Sequence, residues 1–179
     1  MLYLLLLELL TVQFLLSSCI DAKTIKLASC GSGLNYTEKW GYVDVRPKAH
    51  MFWWLYYVEN TFCYRPLVLW LQGGPGVSST GFGNFMELGP LDVNLKARTT
   101  TWLSKADLLF IDQPVGTGFS YVTEDKAYTT DIAQIADDLV SWAEVWFKQY
   151  NRYQTIPFYI TCESYGGKMG AAFAQALNK

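Results

Sequence analysis

Residues 163–168 read Glu-Ser-Tyr-Gly-Gly-Lys, straight after the apolar run Pro157-Phe158-Tyr159-Ile160-Thr161-Cys162 and straight before a helix-forming stretch. A serine at the apex of a strand–turn–helix is pushed out of the backbone, and the amide N–H groups behind it face whatever it attacks. That nominates Ser164 as a nucleophile for acyl transfer. The strict pattern Gly-x-Ser-x-Gly is half met: Gly166 fills its last position, while Cys162, a small residue, stands at its first. The same position would also suit a serine that merely caps the following helix. A hydroxyl nucleophile needs a base, and in this kind of hydrolase an acid and then a histidine follow the serine along the chain. Fifteen residues follow Ser164, and none of them is an acid or a histidine. The single histidine, His50, lies upstream in an aromatic-rich run and reads as a partly exposed strand residue.

A second cluster, Trp70-Leu71-Gln72-Gly73-Gly74-Pro75-Gly76, closes the apolar run Leu67–Leu71. Glycines leave backbone N–H groups free at the carboxyl end of a buried strand, where open α/β sheets build their sites. An oxyanion needs two fixed donors, one just after the nucleophile and one from another loop. Gly74 and Tyr165 are the natural pair. Taken alone, a glycine-proline loop is no more than a tight turn.

Positioning these groups requires a sheet. Trp40–Val45 and His50–Val58 alternate as two strands of a hairpin around Arg46-Pro47-Lys48. Leu67–Leu71, Ala106–Ile111 and Phe158–Thr161 are short continuous apolar runs, the pattern of strands buried on both faces. Between the last two, Ile132, Ile135, Ala136, Leu139, Ala143 and Trp146 recur at helical spacing after a cap at Thr129 or Thr130, with Asp131 in the first turn. Residues 77–100 read as glycine-dotted loop, and Ala171–Leu177 as a helix. Strands alternating with helices predict a mostly parallel α/β sheet with flanking helices.

Five blocks taken in order resemble one family. They are Trp70–Gly76, Ser78–Phe85, Leu88-Gly89-Pro90-Leu91, Ile111–Tyr121 and Glu163–Lys168. Over roughly residues 40–177 they are similar to the serine carboxypeptidases of α/β-hydrolase fold. The resemblance implies an enzyme that releases carboxy-terminal residues from peptides through an acyl-enzyme on Ser164, with no cofactor and no metal. It also implies that the substrate's terminal carboxylate is held by the Gln72 side chain, the Gly73 N–H and the Glu163 carboxyl. A glutamate can face an anion only if two carboxylates share a proton, which requires a raised pKa and favours acidic pH. The bland reading of Glu163 is a buried glutamate bonded to Gln72. Two departures stand out: Gln72 replaces the family's usual asparagine, and Val77 replaces the glycine after Pro75-Gly76. A β-branched residue at positive φ would strain that loop.

Composition sets the limits. At 179 residues with 51% hydrophobic and 16% aromatic residues, the chain can bury one real core. A net charge of −2 without a basic cluster excludes a nucleic-acid partner. Residues 1–22 form an apolar block with a small-residue exit, read as a secretory signal peptide, and the apolar run within it, interrupted by Glu8, is shorter than the ~20 residues a membrane span needs. Residues 23–179 then form the amino-terminal part of the hydrolase domain. Asn35-Tyr36-Thr37 is a glycosylation sequon, in keeping with secretion or a lysosomal compartment. After signal removal Cys30, Cys63 and Cys162 remain, an odd number. The missing acid and histidine predict a fragment or short form, inactive alone. Two other readings stay open: a non-catalytic form that binds peptide carboxylates or a partner chain, and an acyltransferase on the same scaffold.

Overall fold

The computed structural model describes residues 35–59 and 65–178; the signal block, Cys30 and Cys63 lie outside them. Strands β1 (Thr37–Arg46) and β2 (Ala49–Tyr57) form the expected hairpin, turning through Lys48 at positive φ. Strands β3 (Leu67–Leu71), β4 (Asp107–Ile111), β5 (Tyr121–Val122) and β6 (Phe158–Cys162) complete one sheet in the order β1-β2-β4-β3-β6, with short β5 beside β2. The β4-β3-β6 half is parallel, while β2 runs antiparallel to β4. Trp70 pairs with Phe110 and Leu71 with Cys162, so the three parallel strands end at one edge of the sheet. The loops opening at Gln72, Asp112 and Glu163 therefore emerge side by side.

Both sheet faces are covered. Helices α1 (Ile132–Gln149) and α2 (Gly166–Ala176) bury Ile135, Leu139, Trp142, Trp146, Met169 and Phe173 against one face. On the other, Leu88 and Leu103 pack with Tyr56, Val68, Leu108 and Phe110. A buried ionic cluster closes the far end of β4: Asp107 accepts hydrogen bonds from Arg65, Arg152 and the Tyr153 hydroxyl.

Several sequence expectations shift. Asp131, not Thr129 or Thr130, caps α1, its side chain accepting from the Gln134 N–H at 2.9 Å. It is the residue that keeps extended backbone immediately before the first helical turn. Helix α2 begins at Gly166, and the helical stretch read at Ala171–Leu177 continues it from the serine turn; Gly166 and Gly170 answer to close packing. A Cβ on Gly166 would collide with the Leu71 carbonyl. Part of the expected loop 77–100 is helical: Ser79–Leu88 winds as a π-type helix. Ser78 caps it by accepting from the Gly81 N–H at 2.8 Å. Gly83 is there for the Trp70 indole, which any Cβ would strike.

Candidate active site

Ser164 sits at φ +54° between β6 and α2, in left-handed backbone that a non-glycine residue adopts only under constraint. Its hydroxyl caps nothing: the cap position of α2 falls on Tyr165, without a side-chain hydrogen bond. The capping alternative therefore fails, and the serine stands exposed at the apex of a sharp turn. Cys162 takes the place of a glycine because space is made elsewhere, at Gly170, whose Cβ would collide with the Cys162 sulfur. Burial pushes that thiol up to about 11, so it stays protonated at neutral pH.

The Gly-rich loop meets this turn directly. A Cβ on Gly73 would lie 2.8 Å from the Glu163 carbonyl oxygen, 2.8 Å from the Ser164 Cβ and 2.9 Å from the Tyr165 nitrogen. Only glycine allows this approach, and it brings the Gly73–Gly74 backbone against the nucleophile. Gly74 follows at φ +112°. Among the described residues, the Gly73, Gly74 and Tyr165 N–H groups donate to no backbone acceptor outside the strand and helix ladders. Val77 departs from the glycine expectation without strain. It is exposed, its φ is not positive, and its N–H closes the turn onto the Gly73 carbonyl at 3.1 Å.

Gln72 links the loops. Its Oε1 accepts from the Trp70 indole N–H at 2.6 Å, and because an indole can only donate, this contact orients the amide. Its Nε2 then donates to Glu163 Oε2 at 2.6 Å. A second acid joins them from the π-type helix. The Glu87 carboxyl is raised to about 7, first by burial, then by its hydrogen bond to Glu163 and the repulsion between the two, with Gln72 opposing. Glu87 Oε2 is buried without a donor. Two carboxylates hydrogen-bond only when one carries a proton, and burial places that proton on Glu87. Sequence reasoning expected a proton shared between Glu163 and the substrate carboxylate and did not foresee a second acid of the protein itself. Its only signal was position: Glu87 falls between two quoted blocks, in a stretch read as loop.

Asp112, fully buried, fastens the neighbouring loops. It accepts from the Ser78 hydroxyl at 2.8 Å, the Thr80 N–H at 2.9 Å, the Thr80 hydroxyl at 2.7 Å and the Phe119 N–H at 2.9 Å. His50 lies on the antiparallel hairpin, 2.6 Å from Asp44 and stacked on Tyr121, as a strand residue should. Asn35 is exposed just before β1. Among the described residues, no cluster of His, Cys, Asp or Glu could hold a metal ion, and no helix is long and apolar enough to cross a membrane.

A serine at a strained strand-to-helix turn, faced by a glycine loop at the carboxyl end of a parallel sheet, defines an α/β-hydrolase. Comparison with known proteins narrows the class. Residues 30–179 match the serine carboxypeptidase family, and the chain belongs to it. It is 55% identical over 159 residues to the retinoid-inducible serine carboxypeptidase of Rattus norvegicus, covering 84% of this chain and 35% of the relative. The Homo sapiens counterpart is 57% identical over 145 residues, covering 79% and 32%. Among solved structures, a prohormone-processing carboxypeptidase from Saccharomyces cerevisiae superposes with a TM-score of 0.71 at 32% identity, covering 79% of this chain and 34% of that one. The chain thus spans about a third of the length of the relatives it matches.

Proposed function

We propose that these residues supply the nucleophile, the oxyanion donors and the carboxylate-binding pocket of a serine carboxypeptidase that removes residues from peptide carboxyl termini. The observation that carries the reading is the Gln72–Glu163–Glu87 cluster immediately beside Ser164. An endopeptidase has no use for an anion site next to its nucleophile; an enzyme that reads a chain end does. In this reading the substrate carboxylate accepts from the Gln72 Nε2 amide, the Gly73 N–H and the proton held by the glutamate pair. Ser164 Oγ attacks the last peptide carbonyl while the Gly74 and Tyr165 N–H groups stabilise the oxyanion. The terminal residue leaves with a proton on its amine, and water then releases the acyl-enzyme. The general base comes from sequence beyond these 179 residues, a view supported by the lack of any suitable histidine and by the third of the relatives' length that the chain covers.

A second reading has its own support. The carboxylate cluster is complete within this chain although the base is not, so the 179-residue form is expected to bind peptide carboxyl ends without cleaving them. The apolar amino-terminal block and the exposed Asn35 sequon favour the secretory pathway, with glycosylation at Asn35. A fluorophosphonate probe tests the catalytic proposal. In the longest polypeptide the transcript encodes, labelling should be strong and should vanish with Ser164→Ala. The 179-residue chain should stay unlabelled yet prefer an N-blocked dipeptide acid over its amide. Labelling that survives Ser164→Ala would remove the assignment.

A further inference from the structure

The Gly73 N–H is aimed by a peptide plane and not by a side chain. The Gln72–Gly73 bond is trans, so its carbonyl and N–H point in opposite directions within one rigid plane. Whatever holds the Gln72 carbonyl therefore sets the direction of the Gly73 N–H. The holder is Gln113, whose Nε2 donates to the Gln72 carbonyl oxygen at 3.0 Å from the loop that follows β4. The other end of Gln72 is held separately, its N–H donating to Ser79 Oγ at 3.0 Å, while its side chain lies between Trp70 and Glu163. Of these anchors only Gln113 acts on the plane that carries the Gly73 N–H.

The chemistry of Gln113 argues against a packing role. Its side chain is fully buried, at 0% exposure, and its Oε1 has no hydrogen-bond partner. Leaving a buried amide oxygen unpaired is costly, and an apolar side chain of similar length would fill the space without that cost. What the amide supplies is the one donor that faces the Gln72 carbonyl. Rotating the amide by 180° would set two acceptors against each other, so its orientation follows from this contact.

We infer that Gln113 is a positioning residue for terminal-carboxylate recognition, holding the Gln72–Gly73 plane so that the Gly73 N–H points at the bound anion. This rests on the carboxylate pocket proposed above. The test is equilibrium binding of an N-blocked dipeptide, as free acid and as amide, to the longest expressed polypeptide, by calorimetry at pH 5. Gln113→Met keeps the length and removes the donor. It should weaken the acid about tenfold and the amide only about twofold, because a neutral acceptor draws less from an aimed donor. Gln113→Leu, likewise without a donor, provides a second variant with the same expected loss of discrimination. Equal weakening of acid and amide, no weakening of either, or melting temperatures lowered by more than about ten degrees in both variants would make Gln113 structural and overturn the inference. Should the unaltered protein fail to distinguish acid from amide, the carboxylate pocket itself falls. Discrimination that persists in both variants sinks only the role of Gln113.

Discussion

A carboxylate cannot hold another carboxylate unless a proton lies between them, and Glu87 shows how this site keeps one at mild pH. Its pKa is raised from 4.5 to about 7 by burial first and then by Glu163. The protonated form is thus favoured in the folded state. Stability from this group is fully present below about pH 4.5, declines as pH rises and is gone above about 7. Binding of a substrate carboxylate should follow the same sense, since it needs the donor. Affinity for a free-acid peptide is expected to drop about tenfold between pH 5 and pH 8, as one proton with a pKa near 7 is lost. Glu87→Gln, neutral throughout and still able to donate to Glu163, should flatten that profile in calorimetric titrations. An unchanged pH slope in the variant would show that the proton resides elsewhere. The need for a proton was legible from Glu163 alone, because a glutamate can face an anion only with a proton between them; that a second acid would hold it was not. Nor was its address: Glu87 lies 76 positions upstream of Glu163, and only the fold of Ser79–Leu88 joins them.

At the scale of elements, the strands were legible and the segments between them less so. Leu67–Leu71 is the strand its apolar run predicted, and Phe158–Cys162 extends the predicted one by a single residue. Such runs have no other way to be buried on both faces. Gly81 and Gly83, by contrast, carry a low helix propensity that argued for loop. Tertiary anchors override it, chiefly Asp112, which ties the start of the π-type helix to the turn after β4. Gly118, at φ +54°, has no Cβ because one would collide with the Asp112 carboxylate. Asp112→Ala leaves four donors without their acceptor and is expected to cost about 3–5 kcal/mol. Asp112→Asn keeps one acceptor oxygen and should cost about half as much. Urea melts of both variants decide the matter, and a loss under about 1 kcal/mol for alanine would mean the two loops hold without this hub.

For the molecule as a whole, the question is what the sheet does at its end. Strand β6 carries the nucleophile turn, yet among the described strands it pairs only with β3, and all five of its residues are half-buried. Phe-Tyr-Ile-Thr-Cys is aromatic and β-branched, without the charge or proline that would blunt an edge. The open side offers a row of backbone groups beside apolar side chains, a ready template for another strand. The 179-residue chain on its own is therefore expected to self-associate at micromolar concentration, with sedimentation showing weight that grows with concentration. A charge on this edge should oppose strand addition, so Tyr159→Lys, at a half-buried position beside the Tyr56–Phe110 face, should raise the monomer fraction. A polypeptide of the relatives' full length should need no such charge if its additional sequence covers β6. A monodisperse, cooperatively melting 179-residue monomer, unaffected by the lysine, would show instead that the edge is sealed by contacts within this chain.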